Sequence, residues 1–369
     1  MADVIDQLGS YAKEDVTFLL KDLSDISIEK STEEREQSIQ SGTHYSEMLP
    51  IEYKPTDEYM KLFYASLEDS KQKVALAAGI VAEQIFARSG KNTVLCSLAR
   101  AGTPIGVLIK RYIERKYHTS VPHYSISIIR DRGIDENALH YILNHHPNGA
   151  VAFIDGWTGK GAITKELIRS VERFNQQYGR ELSSELAVLA DPGHCADIYG
   201  TKEDFLIPSA CLNSTVSGLV SRTVLNEKWI GPSDFHGAKY YRELLAEDVS
   251  NLYIETISGQ FPSIDKEAEH CAALLQQKRE APDWSGLASI QSIQKDFGIS
   301  NTNLIKPGVG ETTRVLLRRV PWKILIQPGS EEALQHILLL AEDRGVPVIE
   351  YENMSYSCCG LIRPAEKSL

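Results

Sequence analysis

Between Asn92 and Ile207 the chain alternates short apolar runs with amphipathic stretches, and this rhythm restricts its fold more than any other feature. Residues 93–98, 123–129, 150–154, 185–190 and 204–207 read as buried strands. Residues 105–117, 136–146 and 162–178 read as the helices between them. Strands and helices alternating at this length predict an α/β fold with a doubly wound parallel sheet, which binds ligands at the carboxyl ends of its strands.

The flanks have a different texture. An amphipathic helix is expected over 12–23, with Val16, Leu19 and Leu20 on one face, and 29–42 is charged and exposed in character. Pro55-Thr56-Asp57 opens a long helical pattern that Gly90 can close. Near the C-terminus, 322–326 and 346–350 read as strands around a helix over 330–344, a second and smaller α/β unit. The expected division is an extension over 1–55, a main domain over 56–262, a helical linker over 263–300 and a C-terminal domain over 301–369.

A chain of 369 residues exceeds one ordinary domain. No apolar run reaches the roughly 18 to 20 residues a spanning helix needs, so no membrane partner is expected. The acidic N-terminus lacks the basic region of a secretory signal. Six cysteines without a CxxC pair fit reduced thiols and a cytoplasmic location. The adjacent Cys358 and Cys359 read as small buried hydrophobes. Net charge of −11 argues against a general polyanion-binding surface, yet 301–369 holds eight basic and eight acidic residues. Within it, Lys306, Arg314, Arg318, Arg319 and Lys323 face Glu311 alone.

Three expected strands run into loops that carry polar groups to one sheet edge. The run 151–155 ends on Asp155, followed by Gly156-Trp157-Thr158-Gly159-Lys160-Gly161 and a helix start. Glycines let backbone N–H groups close on phosphate oxygens, Thr158 and Thr164 offer hydroxyls, and the helix dipole favours negative charge. Strand 93–98 leads into Arg100-Ala101-Gly102-Thr103-Pro104, and 123–129 leads into Arg130-Asp131-Arg132-Gly133. The alternative is that each arginine closes a surface ion pair, and the coincidence of three loops weighs against it.

An Arg-x-Gly-x-Pro loop followed by an acid-ended strand with Thr-Gly-Lys-Gly resembles the type I phosphoribosyltransferase fold. The resemblance implies that Thr158, Gly159, Lys160, Gly161 and Thr164 hold the phosphate of phosphoribosyl diphosphate (PRPP). Arg100, Ala101, Gly102 and Thr103 would hold its diphosphate, with Arg130 and Arg132 nearby. Asp155 would meet the ribose and the Mg²⁺ cofactor, and Asp155 and Arg100 would serve catalysis as a base or amine acceptor attacks PRPP. Two residues depart from that pattern: Gly156 stands where a second acid is usual, and Trp157 precedes Thr158 where the family often places its acid.

Tyr11-x-x-x-Asp15-Val-Thr-Phe-Leu-Leu20, Asp191-Pro-Gly-His-Cys-Ala-Asp197, Ile207 to Gly218 and Phe235-His-Gly-Ala-Lys239 resemble a narrower bacterial family. It comprises phosphoribosyltransferase-like proteins encoded with tellurite-resistance and stress operons, the StiP family, also described as cysteine proteases. Its inferred role is assembly of a nucleoside-like metabolite. Lys306-Pro-Gly308-Val-Gly310-Glu311-Thr-Thr-Arg314 resembles the Pelota-type RNA-binding domain. This implies contact of Gly308, Gly310, Glu311, Arg314 and Arg318 with structured RNA; the plain alternative is a helix start with a favourable N-terminal acid. A hydrolase would need a thiol beside a base, with Cys195 or Cys211 as nucleophile; His194 and Cys195 are sequence neighbours, whose side chains rarely point at each other, whereas Cys211 can meet His236 or His194 through the fold. The transferase is the expectation; a cysteine hydrolase and a nucleotide or RNA sensor are the alternatives.

Overall fold

In the computed structural model, which describes residues 8–278 and 280–363, burial alternates along the central strands. Val94, Cys96 and Leu98 enter one apolar cluster while Leu95 enters another on the opposite face. Strands buried on both faces require helices on both sides.

The chain opens with β1 (Thr17–Phe18), β2 (Lys21–Asp22), β3 (Glu29–Lys30), α1 (Thr32–Gln40), β4 (Leu49–Pro50) and the 33-residue α2 (Asp57–Ser89). Then come β5 (Thr93–Ala99), α3 (Gly102–Tyr117), β6 (His123–Ile129), β7 (Gly133–Ile134) and α4 (Glu136–His145). They are followed by β8 (Ala150–Trp157), α5 (Ala162–Tyr178), β9 (Leu186–Ala190) and β10 (Ile198–Thr201). An irregular stretch with β11 (Gly237–Ala238) precedes α6 (Ser250–Ser258), α7 (Phe261–Gln277) and α8 (Ser285–Asp296). The last unit holds β12 (Ile305–Pro307), α9 (Val309–Arg318), β13 (Pro321–Ile326), α10 (Gln335–Asp343), β14 (Val348–Glu350) and β15 (Cys358–Ile362).

The main sheet runs parallel in the order β1-β6-β5-β8-β9-β10, with β7 folded back on β6. Helices α2, α3, α6 and α7 share a core with Leu95, Ile154 and Leu189; α4 and α5 share the other with Cys96, Phe153 and Val188. From β5 the chain moves outward to β6, then crosses back to β8 on the far side of β5. The strand order therefore reverses between β5 and β8, which opens a crevice at their carboxyl ends. Glycine permits the close approach there: a Cβ on Gly102 would lie 2.2 Å from the Ile154 carbonyl oxygen.

Helix α2 starts after Pro55-Thr56 and ends at Gly90, whose N–H bonds the Phe86 carbonyl at φ 52°. The second sheet has the order β12-β15-β13-β14. Cys358 and Cys359 point to opposite sides of it, one into the cluster with Leu316 and Ile337, the other into the cluster with Ile290 and Ile293. The whole is a mixed α/β structure with a parallel sheet and a second, smaller C-terminal sheet.

Three expected elements differ. Residues 12–23 form no helix: Val16, Phe18 and Leu20 enter one core and Leu19 the other, so strand alternation wins over a pattern that fits both periods. Residues 204–207 pair with no strand, and β10 takes the sheet edge instead. The expected 330–344 helix begins only at Gln335, after turns at Pro328-Gly329 and over 331–334.

Candidate functional site

The reversal between β5 and β8 opens into a cleft of about 710 Å3 that both units wall. Arg100, Ala101 and Trp157 come from the loops of those two strands, and Lys306, Glu311 and Arg314 come from the C-terminal unit. The site expected for phosphate and the site expected for RNA thus meet in one cavity. Arg314 joins the units: its Nε donates to the Ala210 carbonyl at 2.9 Å, and its Nη1 lies 3.0 Å from Glu311 Oε1. Neighbouring cations hold the Glu311 carboxyl below its usual range against the opposing effect of burial.

The loop expected to cradle phosphate is engaged within the protein. Thr158 Oγ1 donates to Asp191 Oδ1 at 2.6 Å and accepts the Gly193 N–H at 3.0 Å. The Gly159 carbonyl accepts from Tyr356 OH at 2.9 Å, and Lys160 Nζ donates to the Thr302 carbonyl at 2.6 Å. Gly161, at φ 77°, packs under the Trp284 ring. Burial and the nearby Lys306 lower the Lys160 ammonium to about 8. Thr164 Oγ1 turns to the Cys195 sulfur at 3.5 Å.

Burial pushes the Asp155 carboxyl up to about 7, against a 2.7 Å hydrogen bond from the Gly156 N–H. Among the described residues no group of three or more His, Cys, Asp or Glu could hold a metal.

The remaining sequence-expected residues separate. Arg100 Nη1 donates to the Val220 carbonyl at 3.2 Å and lies 3.9 Å from Glu52 Oε1, inside the cleft. Gly102 and Thr103 are buried beneath it, with Thr103 Oγ1 2.8 Å from Ser125 Oγ. Arg130 sits over the Tyr45 ring, and Arg132 pairs outward with Glu47 at 2.8 Å. Gly308 and Gly310 face Asp204 and Ala210, so this end of α9 docks on the main unit. The side chain of Arg318 lies outside the described residues.

Both candidate thiols are buried. Cys195 is 1% exposed and burial pushes its thiol up to about 11. Its neighbour His194 places Nδ1 2.8 Å from Ser285 Oγ. Cys211 lies 3.6 Å from Ser66 Oγ, while His236 Nδ1 is 2.9 Å from Ser127 Oγ.

Residues 9–258 match the family described as tellurite-like stress resistance cysteine protease StiP. A relative named cysteine protease StiP, from Acinetobacter baylyi, is 35% identical over 350 residues, covering 92% of this chain and 89% of the relative. The chain belongs to the StiP family. Residues 284–364 also match the PELOTA RNA binding domain.

Family membership corrects the expected activity. The matches name a cysteine protease, not a phosphoribosyltransferase, and so overturn the transferase expectation with its PRPP reaction.

Sequence reasoning missed several cleft residues, above all Arg35, Glu52 and Arg222. No local motif marks them, and they converge from distant segments only through the fold. Among the described residues no helix is long and apolar enough to cross a membrane.

Proposed function

We propose that the chain is a stress-resistance hydrolase with a cysteine nucleophile, the activity carried in its relative's name, and that Cys195 is the nucleophile. The reading rests on 35% identity across 92% of the chain. The positive end of α5 supports the choice of Cys195: its sulfur abuts Gly161, the N-cap of that 17-residue helix, and a helix N-terminus favours thiolate. His194, whose Nδ1 meets Ser285 Oγ at 2.8 Å, would have to turn to the sulfur to supply the base.

In the reaction the thiolate adds to a peptide carbonyl, the C–N bond breaks, and the amine leaves with a proton from His194. Water then hydrolyses the thioester. The protonated thiol lies beside Gly161, which the Trp284 ring covers, and burial is the main cause of its raised pKa. Turnover therefore requires the segment around Trp284 to lift. Peptide cleavage by the full chain tests this reading. Cys195→Ala should abolish cleavage with melting unchanged while Cys211→Ala retains it; cleavage persisting in Cys195→Ala refutes the assignment.

A second reading concerns the C-terminal unit, which we infer contacts RNA. Its match to an RNA binding domain and the row Lys306, Arg314, Arg319 and Lys323 support this. Binding carried by phosphate contacts must weaken steeply with salt. RNA affinity unaffected by salt, or unchanged when residues 301–369 are deleted from the chain, would contradict it. We also place the chain in the cytoplasm, a reading supported by six free thiols.

A further inference from the structure

The cleft contains an arginine with no acid to answer it. Seven lysine and arginine side chains line the cavity against two carboxylates, Glu52 and Glu311. Lys54 pairs with Glu247, Arg100 approaches Glu52 and Arg314 pairs with Glu311. Arg222 differs. Among the described residues it makes no ion pair, and its ring contact is with Tyr45 at 5.4 Å. Arg130 also lies over that ring, at 5.6 Å.

The electrostatic surroundings of Arg222 are cationic. Burial, then Arg100, then Arg35 lower its pKa to about 10, with Arg130 adding to them. A guanidinium does not surrender its proton in a protein, so this depression reflects first the burial of its charge and then the positive potential of Arg100 and Arg35. Like charges gathered in a half-buried space cost free energy unless an anion enters. The C-terminal unit adds Lys306 and Arg319; burial and then Arg319 hold the Lys306 ammonium low against the opposing charge of Glu311. The volume of about 710 Å3 falls in the range of small-molecule sites. Trp157 and Tyr59 supply apolar faces beside the charged walls.

We propose that this cleft binds a polyphosphate group, gripped by Arg222 and Arg100 on the main unit and by Lys306 and Arg319 on the C-terminal unit. Several linked phosphates suit a cavity of this volume that is lined by cations from both units. Arginine forks suit phosphate oxygens, and each charge-assisted bond is stronger than its neutral counterpart. The polyphosphate can come as an inorganic chain or as part of a nucleotide whose base uses the aromatic faces. This site is independent of the hydrolase reading, since Cys195 does not line the cleft.

Titration calorimetry of the full chain with inorganic tripolyphosphate and, separately, with ATP tests the proposal. Saturable binding that weakens with salt is expected. Tighter binding of ATP assigns the site to a nucleotide, and equal or tighter binding of tripolyphosphate assigns it to the inorganic chain. Arg222→Gln and Arg319→Gln should each weaken binding roughly tenfold or more. Arg319 is exposed, so its variant retains the fold if Arg222→Gln does not. Lys73→Gln, which removes an ion pair with Glu203 outside the cleft, should bind as the parent does. Absence of binding to both ligands, or unchanged affinity in Arg319→Gln, overturns the proposal.

Discussion

Asp204→Ala should loosen the C-terminal unit from the main sheet. The Asp204 carboxylate accepts the Val309 N–H through Oδ1 and the Ser357 N–H through Oδ2, both at 2.9 Å. Val309 opens α9 and Ser357 precedes β15, so one side chain ties two elements of the second unit to the main one. Hydrogen bonds to a charged acceptor are worth about 1.5–3 kcal/mol each. Burial opposes them, and the Asp204 pKa settles above its usual 3.8, at about 6, with both effects included. Truncation removes both effects and leaves two N–H groups without acceptors, so the net loss at neutral pH is about 2 kcal/mol.

The pH dependence has a definite sign. A carboxyl with a raised folded pKa keeps its proton where the unfolded chain has lost it, so its contribution falls as pH rises from about 4 to about 6. Hydrogen–deuterium exchange at residues 305–318 and 357–362 measures this docking. Faster exchange is expected in Asp204→Ala, with a difference from the parent that shrinks between pH 4 and pH 6. Equal exchange in the two proteins, or a difference that grows with pH, would refute the reasoning.

Gly102→Ala places a methyl 2.2 Å from the Ile154 backbone oxygen and should destabilise the main unit by about 3 kcal/mol or more, read by thermal melting. Tyr356→Phe removes the bond to the Gly159 carbonyl and should cost about 1 kcal/mol, read by urea unfolding. Trp284 holds φ 57°, a backbone that glycine adopts freely, so Trp284→Gly removes the cover over Gly161 without adding strain. Alkylation of Cys195 should accelerate in that variant, as mass spectrometry of the labelled peptide will read.

The parallel sheet was legible because its strands are apolar on both faces and separated by amphipathic helices, as at residues 93–117. Helix α2 was legible from Pro55 and Gly90. The N-terminal stretch was not, since Val16, Leu19 and Leu20 satisfy helix and strand periods alike, and only burial on both sides of the sheet decides. The loop 158–161 reads locally as an open anion cradle, yet Trp284, Thr302 and Tyr356 cover it from more than a hundred residues away. Arg222 carries no motif, and its importance arises from Arg35, Arg100 and Arg130 arriving beside it. Local loops suggested a transferase, whereas similarity along nearly the whole chain places it among proteins named as cysteine proteases.

Peptide cleavage by the full chain, measured beside Cys195→Ala across a pH series, tests the central claim most directly. The account predicts cleavage that rises with pH as the thiol ionises, and none in Cys195→Ala at equal melting temperature. Cleavage by Cys195→Ala at the parent rate, or a chain that cleaves no peptide even as Trp284→Gly, would contradict it.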